Sequence, residues 1–103
     1  MDEALDALEA QVEAIEDALD ACTTQKQRDQ LLPSFDQAQL NLQRALNNVF
    51  QANDAKIANL VAQMKQAQTS LEQMTRDLAN FANIVNAVST AVRIGTELAS
   101  MAK

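Results

Sequence analysis

The sequence of 103 residues contains no histidine, tryptophan or tyrosine, and it has one glycine, one proline and one cysteine. A β-rich fold needs glycine and proline at its tight turns, so this composition argues against a sheet of short strands. Without histidine and tyrosine, the chain has no imidazole base, no imidazole metal ligand and no phenol acid. We therefore predict an all-α protein that is not an enzyme and holds neither a metal nor another cofactor.

The single cysteine excludes an intrachain disulfide. The first ten residues, MDEALDALEA, do not contain the basic and apolar regions of a secretory signal. Both observations predict a cytoplasmic protein, with export by a secretion system that needs no cleaved signal as the alternative.

The charge of the chain is acidic and unevenly distributed. The formal net charge is −6 and the sequence pI is about 4.4, which argues against a protein that neutralises nucleic-acid phosphates. Residues 2–22 contain eight acids and no base, whereas residues 23–103 contain six acids and eight bases. The acidity therefore belongs to the first predicted helix.

The first predicted helix has an apolar seam and an acidic edge. Apolar residues alternate at spacings of three and four, which is typical of a helix packed against another helix: Leu5, Leu8, Val12, Ile15, Leu19 and Cys22. Five carboxylates follow the same spacing one residue later, and we call them the acidic stripe: Asp6, Glu9, Glu13, Glu16 and Asp20. We predict that the stripe binds a basic surface of a partner protein; a solvated face without a partner is the alternative.

Helix boundaries follow from capping and breaking signals. Pro33 predicts the end of the first helix, although Thr23–Gln30 contains no apolar residue and is either solvated helix or loop. Ser34 with Gln37, and Thr69 with Glu72, have the spacing of capping boxes. We predict a single all-helical domain over 1–103, an antiparallel three-helix bundle with helices at about 2–31, 34–67 and 70–101.

An alternative architecture follows from the seam itself. The apolar pattern that contains Val49 and Ala52 slips by one residue at Asn53–Asp54, and from Ile57 it continues without a fault to Ala99. That continuity also fits a helical hairpin in which one long coiled-coil helix is covered by a second copy of the chain, so that the fold closes only as a homodimer.

The segment 78–92 contains no charge, and its apolar residues need burial over a broad face. It is too short and too rich in asparagine for a transmembrane span, so we predict a central bundle helix, with contact to another protein or to a membrane surface as alternatives. Gly95 lies on the seam, where it marks either a close helix approach or a frayed helix end.

These observations favour a small helical protein–protein interaction module of the adaptor, secretion-chaperone or immunity type. Its partner is another protein with a basic surface, or a second copy of the chain, and neither nucleic acid nor a membrane. The alternative is a self-assembling or signal-less exported protein that is structural or membrane-active. The sequence is rich in Ala, Gln, Asn, Ser and Thr, and in this respect alone it resembles flagellin and needle-type exported proteins.

Overall fold

The computed structural model describes residues 3–51 and 53–103. Within these residues the chain forms four α-helices and no strand: α1 (Glu3–Ala21), α2 (Gln25–Leu46), α3 (Ala55–Thr75) and α4 (Phe81–Ala99), with a 3₁₀ turn at Leu78–Asn80. The molecule measures 41 × 22 × 19 Å. The predicted all-α bundle is confirmed, but the predicted number of helices and their bounds are wrong.

The four helices pack as a square in the order α1, α2, α4, α3 around the bundle. Tight connections make α1 antiparallel to α2 and α3 antiparallel to α4. The longer connection over residues 47–54 joins α2 to α3 across the diagonal of the square. As a result α1 lies beside both α2 and α3, and its remaining face points away from the bundle.

Two apolar clusters form the core, one at each end of the bundle. One contains the start of α1 with Leu60, Met64 and Leu98, and the other contains the end of α1 with Leu31 and Ile84. Three buried polar side chains occupy the middle: Gln11, Asn41 and Gln68. Each amide nitrogen donates to another helix: that of Gln11 to the Ala91 carbonyl at 2.6 Å, that of Asn41 to the Thr96 hydroxyl at 3.0 Å, and that of Gln68 to the Ala7 carbonyl at 2.9 Å.

The predicted helix over 2–31 is wrong because the chain turns at residues 22–24; its first residue, Asp2, lies outside the described residues. Thr24 caps α2, and its hydroxyl accepts from the Gln27 amide at 3.1 Å. The Gln27 side chain in turn accepts from the Thr23 amide at 2.9 Å. This reciprocal capping stabilises a new helix start within the segment that contains no apolar residue.

Pro33 does not end a helix, and Ser34 does not begin one, because both lie inside α2. A proline within a helix leaves the carbonyl four residues earlier without its usual donor. Here that carbonyl belongs to Asp29, and both Pro33 and Asp29 are exposed, so water is available to the freed oxygen. The buried residues Leu31 and Ala38 hold the helix against the core on both sides of the proline.

The predicted helices over 34–67 and 70–101 and the long-helix hairpin are also wrong. The chain breaks instead at residues 47–54, where Asn53 has a positive φ of 64° and the Asp54 carboxylate caps α3 by accepting from the Lys56 and Ile57 amides. The seam position Ala52 lies outside the described residues. Thr69 lies inside α3, and its hydroxyl donates to the Lys65 carbonyl. The next break follows Thr75, and Asp77 caps the 3₁₀ turn.

The uncharged segment 78–92 forms the 3₁₀ turn and most of α4, which buries a broad apolar face as predicted. Ile84, Val88, Ala91 and Val92 are buried, while Asn83 and the other neutral polar residues of the opposite side are exposed. Gly95 is buried within α4, and the Gln11 side chain of α1 occupies the space beside it, so the glycine marks neither a frayed helix end nor a close approach of two helix backbones. None of the helices described is both long and apolar enough to cross a membrane.

Candidate interaction surface on α1

The inner face of α1 is formed mainly by small residues. Its buried positions include four alanines, and Gln11 lies at the middle of this face. Successive residues of a helix are rotated by about 100° around its axis. The stripe residues lie two, five or nine positions from Gln11, so they are rotated by about 140–180° from it. The stripe therefore lies opposite the core, rather than close beside the buried face as the apolar seam suggested.

All five carboxylates of the acidic stripe are exposed to solvent. The stripe spans 15 residues from Asp6 to Asp20, and the 14 steps between its ends correspond to about 21 Å along the helix axis. None of the five makes an ion pair or a side-chain hydrogen bond with another described residue. The structure thus brings the five predicted residues together on one continuous surface whose charges the described chain does not neutralise by contact.

This arrangement opposes helix stability in two ways. Like charges three or four residues apart destabilise an isolated helix by about 0.2–0.5 kcal/mol per pair. In addition, Glu16, Asp17 and Asp20 lie near the negative end of the helix dipole, and α1 has no basic residue in its last turn. The Arg28 guanidinium lies just beyond this end and donates to the Cys22 carbonyl at 3.2 Å, which places one cation near the helix terminus.

Asp17 is an acidic residue of α1 that the stripe pattern omitted. Its side chain lines a groove of about 300 Å³ between α1 and α3, together with Ala14, Glu72, Thr75 and Arg76. The sequence indicated that Asp17 lies on the acidic side of α1, because Asp17 follows Glu13 by four residues, about one helical turn. The acidic surface of α1 therefore includes a flank that faces α3, where Arg76 offers the opposite charge.

Cys22 lies at the end of α1 and is buried, as its place on the seam predicted. Its Sγ donates to the Ala18 carbonyl at 3.2 Å. Burial raises the pKa of the Cys22 thiol above its ordinary value, and the charge of Arg28 acts in the opposite direction. The thiolate is therefore disfavoured in the folded state, which is typical of a structural cysteine rather than a nucleophile.

Two further features of the described surface bear on function. Within residues 3–51 and 53–103, no three carboxylate or thiol side chains converge as a metal ion would require. A shallow groove of about 350 Å³ runs between α3 and α4, and uncharged residues line it: Ala67, Ser70, Met74, Asn83, Asn86, Ala87 and Thr90. Because this groove is uncharged, the strongest concentration of one charge on the described surface is the acidic stripe of α1.

Comparison of the chain with protein-family models, with curated proteins and with solved structures found no match.

Proposed function

We propose that this protein is a non-enzymatic helical module that binds another protein through the outer face of α1. The single observation that carries the proposal is the exposure of all five stripe carboxylates on one face, about 21 Å long, without a contacting cation in the described chain. The partner contributes a surface on which lysine or arginine side chains are spread over a comparable length.

The acidic stripe destabilises α1, and a basic partner can offset that destabilisation. Concentrating carboxylates at helical spacing destabilises α1, so a folded protein gains nothing in stability from the arrangement. A basic partner attracts the same carboxylates. Each of them already faces solvent and needs no rearrangement to form an ion pair. Electrostatic complementarity of this kind contributes mainly to the association rate and to the choice of partner.

Charge reversal on α1 tests this proposal. In the variant with Glu9→Lys, Glu13→Lys and Glu16→Lys, the middle of the stripe changes sign, and we expect capture of basic partners from a cell lysate to be lost. Partners are identified by mass spectrometry, purified and titrated against each variant. Circular dichroism should show an unchanged helical signal, since all three side chains are exposed.

A second variant with the same change of net charge provides the matched control. Asp29→Lys and Glu97→Lys change exposed residues of α2 and α4, and Gln63→Lys and Gln66→Lys change exposed residues of α3; together they shift the formal net charge of −6 by the same amount as the reversal on α1. This control should retain the partner. If both variants lose the partner equally, net charge rather than the α1 surface is responsible; if neither loses it, the stripe is a solvated face.

A further inference from the structure

Half-buried apolar side chains line the outer surface between α1 and α2. Each of them packs against one of the two core clusters and keeps part of its surface in contact with solvent. On α1 these residues repeat every seven positions, about two helical turns, and the two on α2 have the same spacing. We call this set the apolar ladder: Leu5, Val12, Leu19, Phe35 and Leu42.

The α1 and α2 sides of the ladder lie level with each other. The tight connection over residues 22–24 makes the helices antiparallel, so residues whose numbers sum to about 46 are level. A displacement of only about 1.5 Å along the axis separates two pairs whose numbers sum to 47: Leu5 with Leu42, and Val12 with Phe35. The first pair packs against one core cluster and the second pair against the other. The ladder is therefore one continuous surface shared by the two helices.

The acidic stripe borders the ladder along α1. Two stripe carboxylates each follow a ladder residue by four positions, which is a rotation of only about 40°: Glu9 follows Leu5, and Glu16 follows Val12. On the opposite flank of α1, which faces α3, the neighbour of the stripe is the charged Asp17. The apolar border of the stripe is therefore the one on the side of α2.

Two exposed leucines extend this apolar surface on α2. Leu32 is 39% exposed, and Leu46 is 58% exposed. Leu32 precedes Phe35 by three residues and Leu46 follows Leu42 by four, so each is rotated toward solvent by about 40–60° from a ladder residue. Leu40 is also exposed, but it is rotated by about 80° from Leu32 and about 120° from Leu46, and it lies on a different side of α2.

An apolar surface with an acidic border on one side is complementary to an amphipathic helix that carries bases along one edge. The stripe carboxylates are three and four residues apart, about 4.5–6 Å along the axis, and residues on one face of a partner helix have the same spacing. Side chains on one face of a strand repeat at about 6.4–6.8 Å, so bases on a strand lose register with the carboxylates along the stripe.

We propose that the partner contributes a basic amphipathic helix that lies along α1. Its apolar side chains cover the apolar ladder, Leu32 and Leu46, and its lysine or arginine side chains pair with the acidic stripe. From the level of Leu46 to that of Leu19 this surface is about 27 Å long, which a partner helix of about 18 residues covers. The inference rests on the proposed function and adds the apolar half of the recognition, which charge alone does not supply.

Two fluorescein-labelled synthetic peptides of identical composition test the helical partner. Each contains about 18 residues of leucine, lysine and alanine. In the first peptide, leucines and lysines repeat at spacings of three and four on adjacent faces; in the second, they alternate with a period of two, as on a strand. In titrations followed by fluorescence anisotropy, the first peptide should bind the wild-type chain at least about tenfold more tightly. Equal affinities, or no binding of the first peptide, overturn the inference.

Substitutions of the exposed leucines distinguish this inference from the proposed function. Leu32→Gln with Leu46→Gln leaves the net charge unchanged and should weaken binding of the first peptide about tenfold. Leu40→Gln with Met74→Gln is the matched control, because both side chains are exposed and lie away from the ladder, and it should bind as the wild type does.

The triple lysine variant of α1 completes the comparison and should abolish binding of the first peptide. If it does so while the Leu32 and Leu46 variant binds as tightly as the wild type, the stripe acts by charge alone; the proposed function then stands, and the amphipathic helix is rejected. Binding that survives the charge reversal rejects the acidic stripe itself, and the proposed function fails with it.

Discussion

At the scale of single residues, the middle of the bundle is governed by the pairing of Gln11 with Gly95. The Gln11 side chain is 1% exposed, and its amide nitrogen donates to the Ala91 carbonyl at 2.6 Å. Its Oε1 has no hydrogen-bond partner among the described residues and would lie 2.5 Å from a Cβ added at Gly95. The glycine is therefore explained by the space that the glutamine amide needs, and not by an unusual backbone conformation.

This pairing predicts that Gly95→Ala changes the free energy of unfolding in opposite directions in the presence and absence of the Gln11 side chain. Gly95→Ala should lower the free energy of unfolding by about 1–3 kcal/mol, because the added methyl displaces a buried, hydrogen-bonded amide. In a Gln11→Ala background the same change should instead raise the free energy of unfolding by up to about 1 kcal/mol, since alanine has the higher helix propensity. Urea unfolding of the four proteins measures both effects. Equal effects of Gly95→Ala in the two backgrounds would show that the residues are not coupled.

At the scale of elements, α2 shows how packing overrides a strong local signal. Thr24 and Gln27 determine its start, and Thr24 lies nine residues before Pro33, the residue that was expected to end a helix. Pro33 costs the helix one backbone hydrogen bond, yet the apolar residues before and after it are buried on the same side. The helix therefore continues because ending it would expose part of the core.

The helix should become more stable when this proline is replaced. Pro33→Ala restores an amide that can donate to the Asp29 carbonyl, and the side chain is exposed, so no core contact is lost. We expect the free energy of unfolding to rise by about 1–3 kcal/mol in urea titrations followed by circular dichroism. Gln30→Ala, at a neighbouring exposed position, serves as the control and should change stability by less than about 0.5 kcal/mol. A decrease on Pro33→Ala would mean that the proline, rather than the packing on either side, supports this part of α2.

At the scale of the whole molecule, the concentration of negative charge on α1 makes the free energy of unfolding depend on salt. Between about 0.01 and 0.5 M NaCl, the free energy of unfolding should rise by about 1 kcal/mol, because salt screens repulsion among the α1 carboxylates. Low protein concentration keeps any contact between copies from contributing to the measurement. The variant with Glu9→Lys, Glu13→Lys and Glu16→Lys should show a much weaker dependence. Stability that is constant or falls with salt in the wild-type chain would contradict this account.

The amino-acid pattern was sufficient for the helical class and for much of the core, because both depend on local periodicity. Leu8, Ile15, Met64 and Val88 are buried as their spacing predicted, and the five stripe residues are exposed together because they share one side of one helix. Those properties follow from the rotation of about 100° per residue, which no distant contact alters.

Contacts between distant residues determined instead where the helices end, which amides are buried and which face of α2 is exposed. Gln11 and Gln68 look like surface residues in sequence, and they are buried only because carbonyls of other helices accept their hydrogen bonds. Likewise, Thr69 could cap a helix by its local sequence, but α3 continues through it to bury Leu71. Capping contributes about 1 kcal/mol, whereas burying a leucine contributes about 1.5–3 kcal/mol, so packing determines where these helices end.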